Sequence, residues 1–246
     1  MKSLRFWRSI GLGAIAWVLW YGAVPPARAN PFILFQGTPL GTLPVEQGGL
    51  VLGALDADGL PTPTRERGIP GGVTVDTDAA EAIYAGYFNY NPLGNFFINP
   101  DFPNLDRQQG FTLEFQVMLD RSTQHRRDRA GLNLIIIGAD TYGIELGFES
   151  DAIFAQSTAF ERAESVIIDT QVAWNYQLTV LGDRYQLFAN SELILSGQLR
   201  NYLFNPKANQ PPLFFNPYMT PGFIFLGDNA SSASAAFTLN HLSISK

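Results

Sequence analysis

The sequence predicts an all-β protein, a two-sheet antiparallel jelly-roll sandwich placed after an N-terminal signal peptide. Three observations predict it. Apolar and polar residues alternate with period two over several runs bounded by Gly, Asn, Asp and Pro, the pattern of half-buried strands. No long stretch carries a helical period. Gly182-Asp183 and Asn190-Ser191 join consecutive runs and are the residue types that two-residue hairpins require.

The leader comes first. Lys2, Arg5 and Arg8 are basic, residues 10–24 are apolar, Pro25-Pro26 breaks any helix, and Ala27-Arg28-Ala29 offers a small-x-small cleavage site before Asn30. An uncleaved anchor is the rival reading. It would need about 20 apolar residues to span a bilayer, and the Ala-x-Ala site argues for release. The expected organisation is therefore a signal peptide over residues 1–29 and one β-sandwich domain over 30–246. No later apolar stretch is long enough to span a membrane, and the signal peptide makes an extracytoplasmic chain, secreted or periplasmic, the expectation.

Early strands are predicted over residues 32–36, 50–55, 73–76 and 83–89. The clearest alternation follows: Phe111, Leu113, Phe115, Val117 and Leu119 face one way, with Thr112, Glu114, Gln116 and Met118 on the other side. A polar loop is expected over 120–129, then a nearly continuous apolar strand over 132–137. Residues 144–149 and 152–156 form a hairpin through Ser150-Asp151. Pairing Glu149 with Ala152 sets Glu145 opposite Gln156, on one face with Phe154. A meander over 174–181, 184–189 and 192–197 comes next, and strands at 223–226 and 235–245 close the chain. Residues 56–72 and 202–221 read as irregular loops, rich in Pro with Gly or aromatics.

Composition narrows the partners. The formal net charge is −6, and four of the 16 basic residues (Lys2, Arg5, Arg8 and Arg28) lie in the leader, which holds no acid. The remainder is more acidic still and repels phosphate backbones. Nucleic acid is not an expected partner; a glycan or a protein surface is. Cysteine is absent, which excludes disulfides, thiolate metal sites and a cysteine nucleophile.

Several short motifs in order carry a resemblance. Gly110-Phe-Thr-Leu, Arg129-Ala-Gly-Leu and Gly143-Ile-Glu-Leu-Gly-Phe with Ala155-Gln156 are followed by Val180-Leu-Gly-Asp-Arg-Tyr-Gln-Leu, Leu195-Ser-Gly-Gln-Leu-Arg200 and Phe225-Leu-Gly-Asp228. This order resembles concanavalin A-like (laminin G-like) sandwiches. With Leu40-Gly-Thr-Leu-Pro and Gln47-Gly48 it is similar, more narrowly, to the choice-of-anchor domains of secreted bacterial proteins. The resemblance implies extracytoplasmic binding or assembly and no established reaction. Such domains usually precede a C-terminal sorting tail; here Lys246 directly follows the last predicted strand, so a free secreted or periplasmic protein is expected.

Catalytic motifs are sparse. Gly-x-Ser-x-Gly is absent, and the two histidines, His125 and His241, stand in no triad pattern. His-Glu-x-x-His is absent too. Asp56-Ala-Asp58-Gly59 opens like a calcium loop, but Arg67 occupies the position of the bidentate Glu. No cofactor is required. Calcium is the ion that the oxygen-rich loops at Asp76, Asp78 and Asp228 would take, against the plainer reading that Asp and Asn cap turns on their own account. Glu145 and Glu149 share a strand face at about 13 Å by rise, too far apart for a glycosidase pair, although Glu114 on another strand could approach either.

The candidate ligand face is Glu145, Gln156 and Phe154 with Arg129 and Arg184, planar hydrogen-bonding groups beside an aromatic platform. Ordinary alternation, or a buried Glu145 charge held by Arg129 or Arg184, is the competing reading. A non-enzymatic extracytoplasmic binding or envelope-associated domain is thus expected. The alternative is a carbohydrate-active enzyme with its acids on the concave sheet.

Overall fold

A computed structural model describes residues 30–78, 84–208, 213 and 215–246; the signal peptide expected over 1–29 lies outside the described residues. Strands run in chain order as β1 (Phe32–Gln36), β2 (Val51–Leu55), β3 (Arg65–Ile69), β4 (Gly72–Asp76), β5 (Tyr84–Phe88), β6 (Tyr90–Asn91), β7 (Phe96–Phe97), β8 (Phe111–Gln124) and β9 (Leu132–Ile137). They continue as β10 (Gly143–Glu149), β11 (Ala152–Gln156), β12 (Arg162–Ile167), β13 (Trp174–Leu181), β14 (Arg184–Ala189), β15 (Glu192–Gln198), β16 (Ile224–Asp228) and β17 (Ala233–Ser245). All the pairings are antiparallel. One sheet has the order β15-β14-β13-β8-β17-β4-β3, with β1 also on β17; the other has the order β12-β11-β10-β9-β16-β5-β2. Among the described residues no helix is long and apolar enough to cross a membrane.

The two sheets close on one core. On β8 the predicted apolar face is buried, from Phe111 to Leu119, while Thr112, Glu114, Gln116 and Met118 are half-buried, as alternation demands of a sheet with one wet face. Phe115 stacks on Tyr176 at 5.0 Å between centroids, and both meet Phe148 of the facing sheet edge to face. Each such side chain contributes about 1.5–3 kcal/mol by leaving water.

The 150–151 hairpin has the expected register, Glu149 opposite Ala152. The turns at Gly182-Asp183 and Asn190-Ser191 close as expected, with positive φ at Gly182, Asn190 and Ser191. Elsewhere the structure departs from the reading. The loop expected from residue 120 is strand as far as Gln124, because β17 offers Ala233–Ala236 as backbone partners. The stretch 56–72 contains β3, which folds onto β4. β12 was not anticipated; it is an edge strand whose exposure follows no clean alternation. Pairing with a neighbour, rather than pattern within the segment, makes all three into strands.

Candidate functional site

The seven-stranded sheet has a second layer on its outer face. β9, β10 and β11 are buried at every position, which a sheet covered on one side only would not show. Leu134, Ile136, Leu146 and Phe148 belong to the core between the sheets. Ile135 and Ile137 point the other way and pack with Tyr202, Tyr218 and Phe223. The aromatic stretch after β15, read from sequence as a loop, is this cover.

Directly opposed residues share a face, and two rows cross the outer one. The first runs Gly53, Gly86, Gly227, Asn133, Gly147, Phe154. The second runs Val51, Phe88, Phe225, Ile135, Glu145. The glycines let aromatic rings lie down on the sheet. A Cβ on Gly86 would sit 2.5 Å from the Phe225 ring, and one on Gly147 would sit 2.5 Å from the Phe154 ring.

The cover is anchored to this face by polar contacts. Gly143 and Arg200 exchange backbone hydrogen bonds at 2.9 and 2.8 Å. The Glu145 amide donates to the Tyr202 hydroxyl at 2.9 Å, and that hydroxyl donates to the Gln156 carbonyl at 3.1 Å. Tyr218 sits in a 3-10 turn, Pro217–Met219, capped by the Asn216 side chain. Its ring lies 4.8 Å from Tyr202 and 5.3 Å from Phe160.

Glu145 is sealed beneath these rings, 1% exposed. The Tyr218 hydroxyl donates to one carboxylate oxygen, and Asn229 Nδ2 donates to the other at 2.8 Å. Burial pushes the Glu145 carboxyl above its ordinary range, against the pull of Tyr218, Asn229 and the Arg129 charge. Burial and the Glu145 charge together raise the Tyr218 phenol as well, so the phenol keeps its proton and stays a donor.

The structure brings Glu145, Gln156, Phe154 and Arg129 into one neighbourhood. Gln156 is fully buried; its Nε2 donates to the Asp128 carbonyl at 2.7 Å, and its Oε1 has no partner. The Arg162 guanidinium stacks 4.2 Å from the centre of the buried Phe154 ring. Arg129 donates to the Asp128 and Phe160 carbonyls and acts on Glu145 through its field alone. Arg184 is not brought there: it is exposed on β14, in the other sheet.

The acidic loops gather at a different place. Arg121 reaches Asp76 at 2.9 Å and Asp78 at 3.5 Å. Asp228 is buried and accepts from the Ala230 amide at 3.0 Å. Burial raises its carboxyl well above the ordinary range; the Ala230 amide and Thr77 hydroxyl pull it down, and the Asp78 charge pushes it up. Among the described residues no three His, Cys, Asp or Glu side chains cluster in a way that would hold a metal. His241 bridges Gln36 and Ser243.

Beside the sealed region lies an open cleft of about 480 Å³, within the roughly 300–1,000 Å³ usual for small-molecule sites. Leu55, Tyr84, Phe88 and Phe225 of the sheet form one side; Phe204, Phe215 and Tyr218 of the cover form the other. Asn229 lines it too, and no Asp, Glu, Lys, Arg or His does among the described residues. Sequence reasoning missed this cleft. The available signal was a glycine on most strands of one sheet, combined with the aromatic content of residues 202–221.

No family model and no curated protein matches the chain. Among solved structures it is similar to a Trypanosoma rangeli sialidase (12% identity, TM-score 0.43), over 78% of this chain and 29% of that one. The chain therefore spans under a third of the sialidase's length. It is also similar to alginate lyase A1-II′ of polysaccharide lyase family 7 (12% identity, TM-score 0.46), over 81% of this chain and 95% of that one. A second family 7 alginate lyase shares 10% identity over 82% of this chain and 96% of its own, with a TM-score of 0.45. These are likenesses of strand arrangement, and no substrate or activity passes from them to this chain.

Proposed function

We propose that this chain is a non-enzymatic, extracytoplasmic binding domain, and that the cleft on the outer face of its seven-stranded sheet is the binding site. One observation carries the reading. The cleft is open and has apolar and aromatic walls, while the acid beside it, Glu145, is 1% exposed with both oxygens already accepting hydrogen bonds. A hydrolase or lyase needs an acid or base within reach of a bound substrate; among the described lining residues there is no carboxylate or imidazole, and the ionisable side chains are the phenols of Tyr84 and Tyr218. The basic, apolar and Ala-x-Ala order of residues 1–29 supports export. The resemblance of the motif order to choice-of-anchor domains supports an envelope-associated setting.

A carbohydrate-active enzyme is the second reading. What favours it is the Glu145–Tyr218 contact, a carboxyl pushed upward beside a phenol, which is general acid–base chemistry if the cover opens.

Incubating the purified protein with a polysaccharide panel that includes alginate and sialylated oligosaccharides, while following new reducing ends, separates the two. Binding domains give no turnover. Turnover that Glu145→Gln abolishes would replace the first reading with the second.

A further inference from the structure

We propose that the cleft takes the hydrocarbon chain of an uncharged, hydroxyl-bearing amphiphile. The inference rests on the binding reading above and names its ligand class.

Lining chemistry comes first. Among the described lining residues there is no charge, and the polar side chains are few: Thr62, Tyr84, Tyr218 and Asn229. A free sugar would leave most of its hydroxyls unpaired there, at a cost that aromatic stacking does not offset. A hydrocarbon chain has no such groups to strand.

The rim points the same way. Leu93 lines the mouth and is 86% exposed, and Leu60, between lining residues Gly59 and Pro61, is 60% exposed. Isolated exposed apolar side chains are ordinary, but Leu93 is itself part of the lining and carries the apolar wall outward, where an alkyl chain would cover it.

Asn229 sets the head group. Its Nδ2 donates to Glu145, and its Oδ1 is the buried polar atom of the lining that lacks a partner. That oxygen accepts only, so a hydroxyl suits it once the Asn229 side chain turns it toward the cleft. A carboxylate or phosphate would set acceptor against acceptor, close to the Glu145 charge.

The test is calorimetric titration of the purified protein with dodecyl maltoside below its micelle concentration, with decyl maltoside, maltose and dodecanoate as the other arms. Dodecyl maltoside should bind, about fifteenfold more tightly than decyl maltoside, as two further buried methylenes imply. Maltose and dodecanoate should bind much more weakly. Leu55→Trp, filling the cleft, and Leu93→Asp, at its exposed rim, should each weaken dodecyl maltoside about tenfold or more, about 1.4 kcal/mol. Ile167→Asp, on the apolar edge of β12, should leave binding unchanged.

Maltose binding as tightly as dodecyl maltoside would overturn the ligand class and leave the binding reading standing. So would dodecanoate matching the maltoside, or the absence of chain-length dependence. Undiminished affinity in both cleft variants would overturn the site. Failure of the binding reading is read elsewhere, in turnover on the polysaccharide panel.

Discussion

Glu145 shows what a single buried acid does to its surroundings. Its carboxyl is raised by burial, so the folded state holds this proton more tightly than the unfolded chain does. The sign follows: its contribution to stability is fully present below the ordinary carboxylate range and is lost as pH rises through the folded value. Glu145→Gln should therefore flatten the fall in stability on going from acid to neutral pH, and Asn229 can turn its unpaired Oδ1 toward the new amide. Glu145→Ala takes away the acceptor of the Tyr218 hydroxyl, leaves the Asn229 amide only its long contact to that hydroxyl at 3.5 Å, and should cost about 2–5 kcal/mol. Urea melts from pH 4 to 8 check both; a Gln variant with the wild-type slope would contradict the assignment. The sequence allowed Glu145, Gln156 and Phe154 to be placed on one strand face, because alternation and a two-residue turn fix register. That this face is covered was not legible, since the covering residues carry no periodicity and their partners are distant in the chain.

Elements succeed or fail by what stands next to them. The 190–191 turn holds both central residues at positive φ, 47° for Asn190 and 71° for Ser191. Asn tolerates that region and Ser does so less well. Ser191→Gly should stabilise the protein by up to about 1 kcal/mol, seen as a raised melting temperature. Gly147→Val should do the reverse and cost more than about 3 kcal/mol, because its side chain would occupy the space of the Phe154 ring. A Gly147→Val protein that melts like wild type would show that the ring does not lie there. β8, β9, the 150–151 hairpin and the β13–β15 meander were readable, each from alternation or turn chemistry inside its own segment. β3 and β12 were not. β3 is two arginines, Glu, Gly and Ile, β12 is mixed in exposure, and both are strands because a neighbour supplies hydrogen bonds.

At the scale of the molecule, the sandwich has three layers over part of its area: the eight-stranded sheet, the seven-stranded sheet, and the aromatic cover packed on the outer face of the latter. The cover seals β10 and β11 at one end and stands away from β2 and β5 at the other, where the cleft opens. The chain carries a net negative charge, and a cleft with no charged side chain among its described lining residues and a sealed Glu145 both belong to the face that the proposed binding reading uses. All of this depends on the cover being seated. Its most direct reporter is the Glu145 amide, which donates to the Tyr202 hydroxyl of the cover. Residue-resolved hydrogen exchange by NMR on wild type and Tyr202→Phe tests it. The account predicts slow exchange at Glu145 in the wild type and about tenfold faster exchange in the variant, with Leu134 and Ile136 unchanged. A Glu145 amide that exchanges freely in the wild type, or that is indifferent to the loss of the Tyr202 hydroxyl, would contradict it.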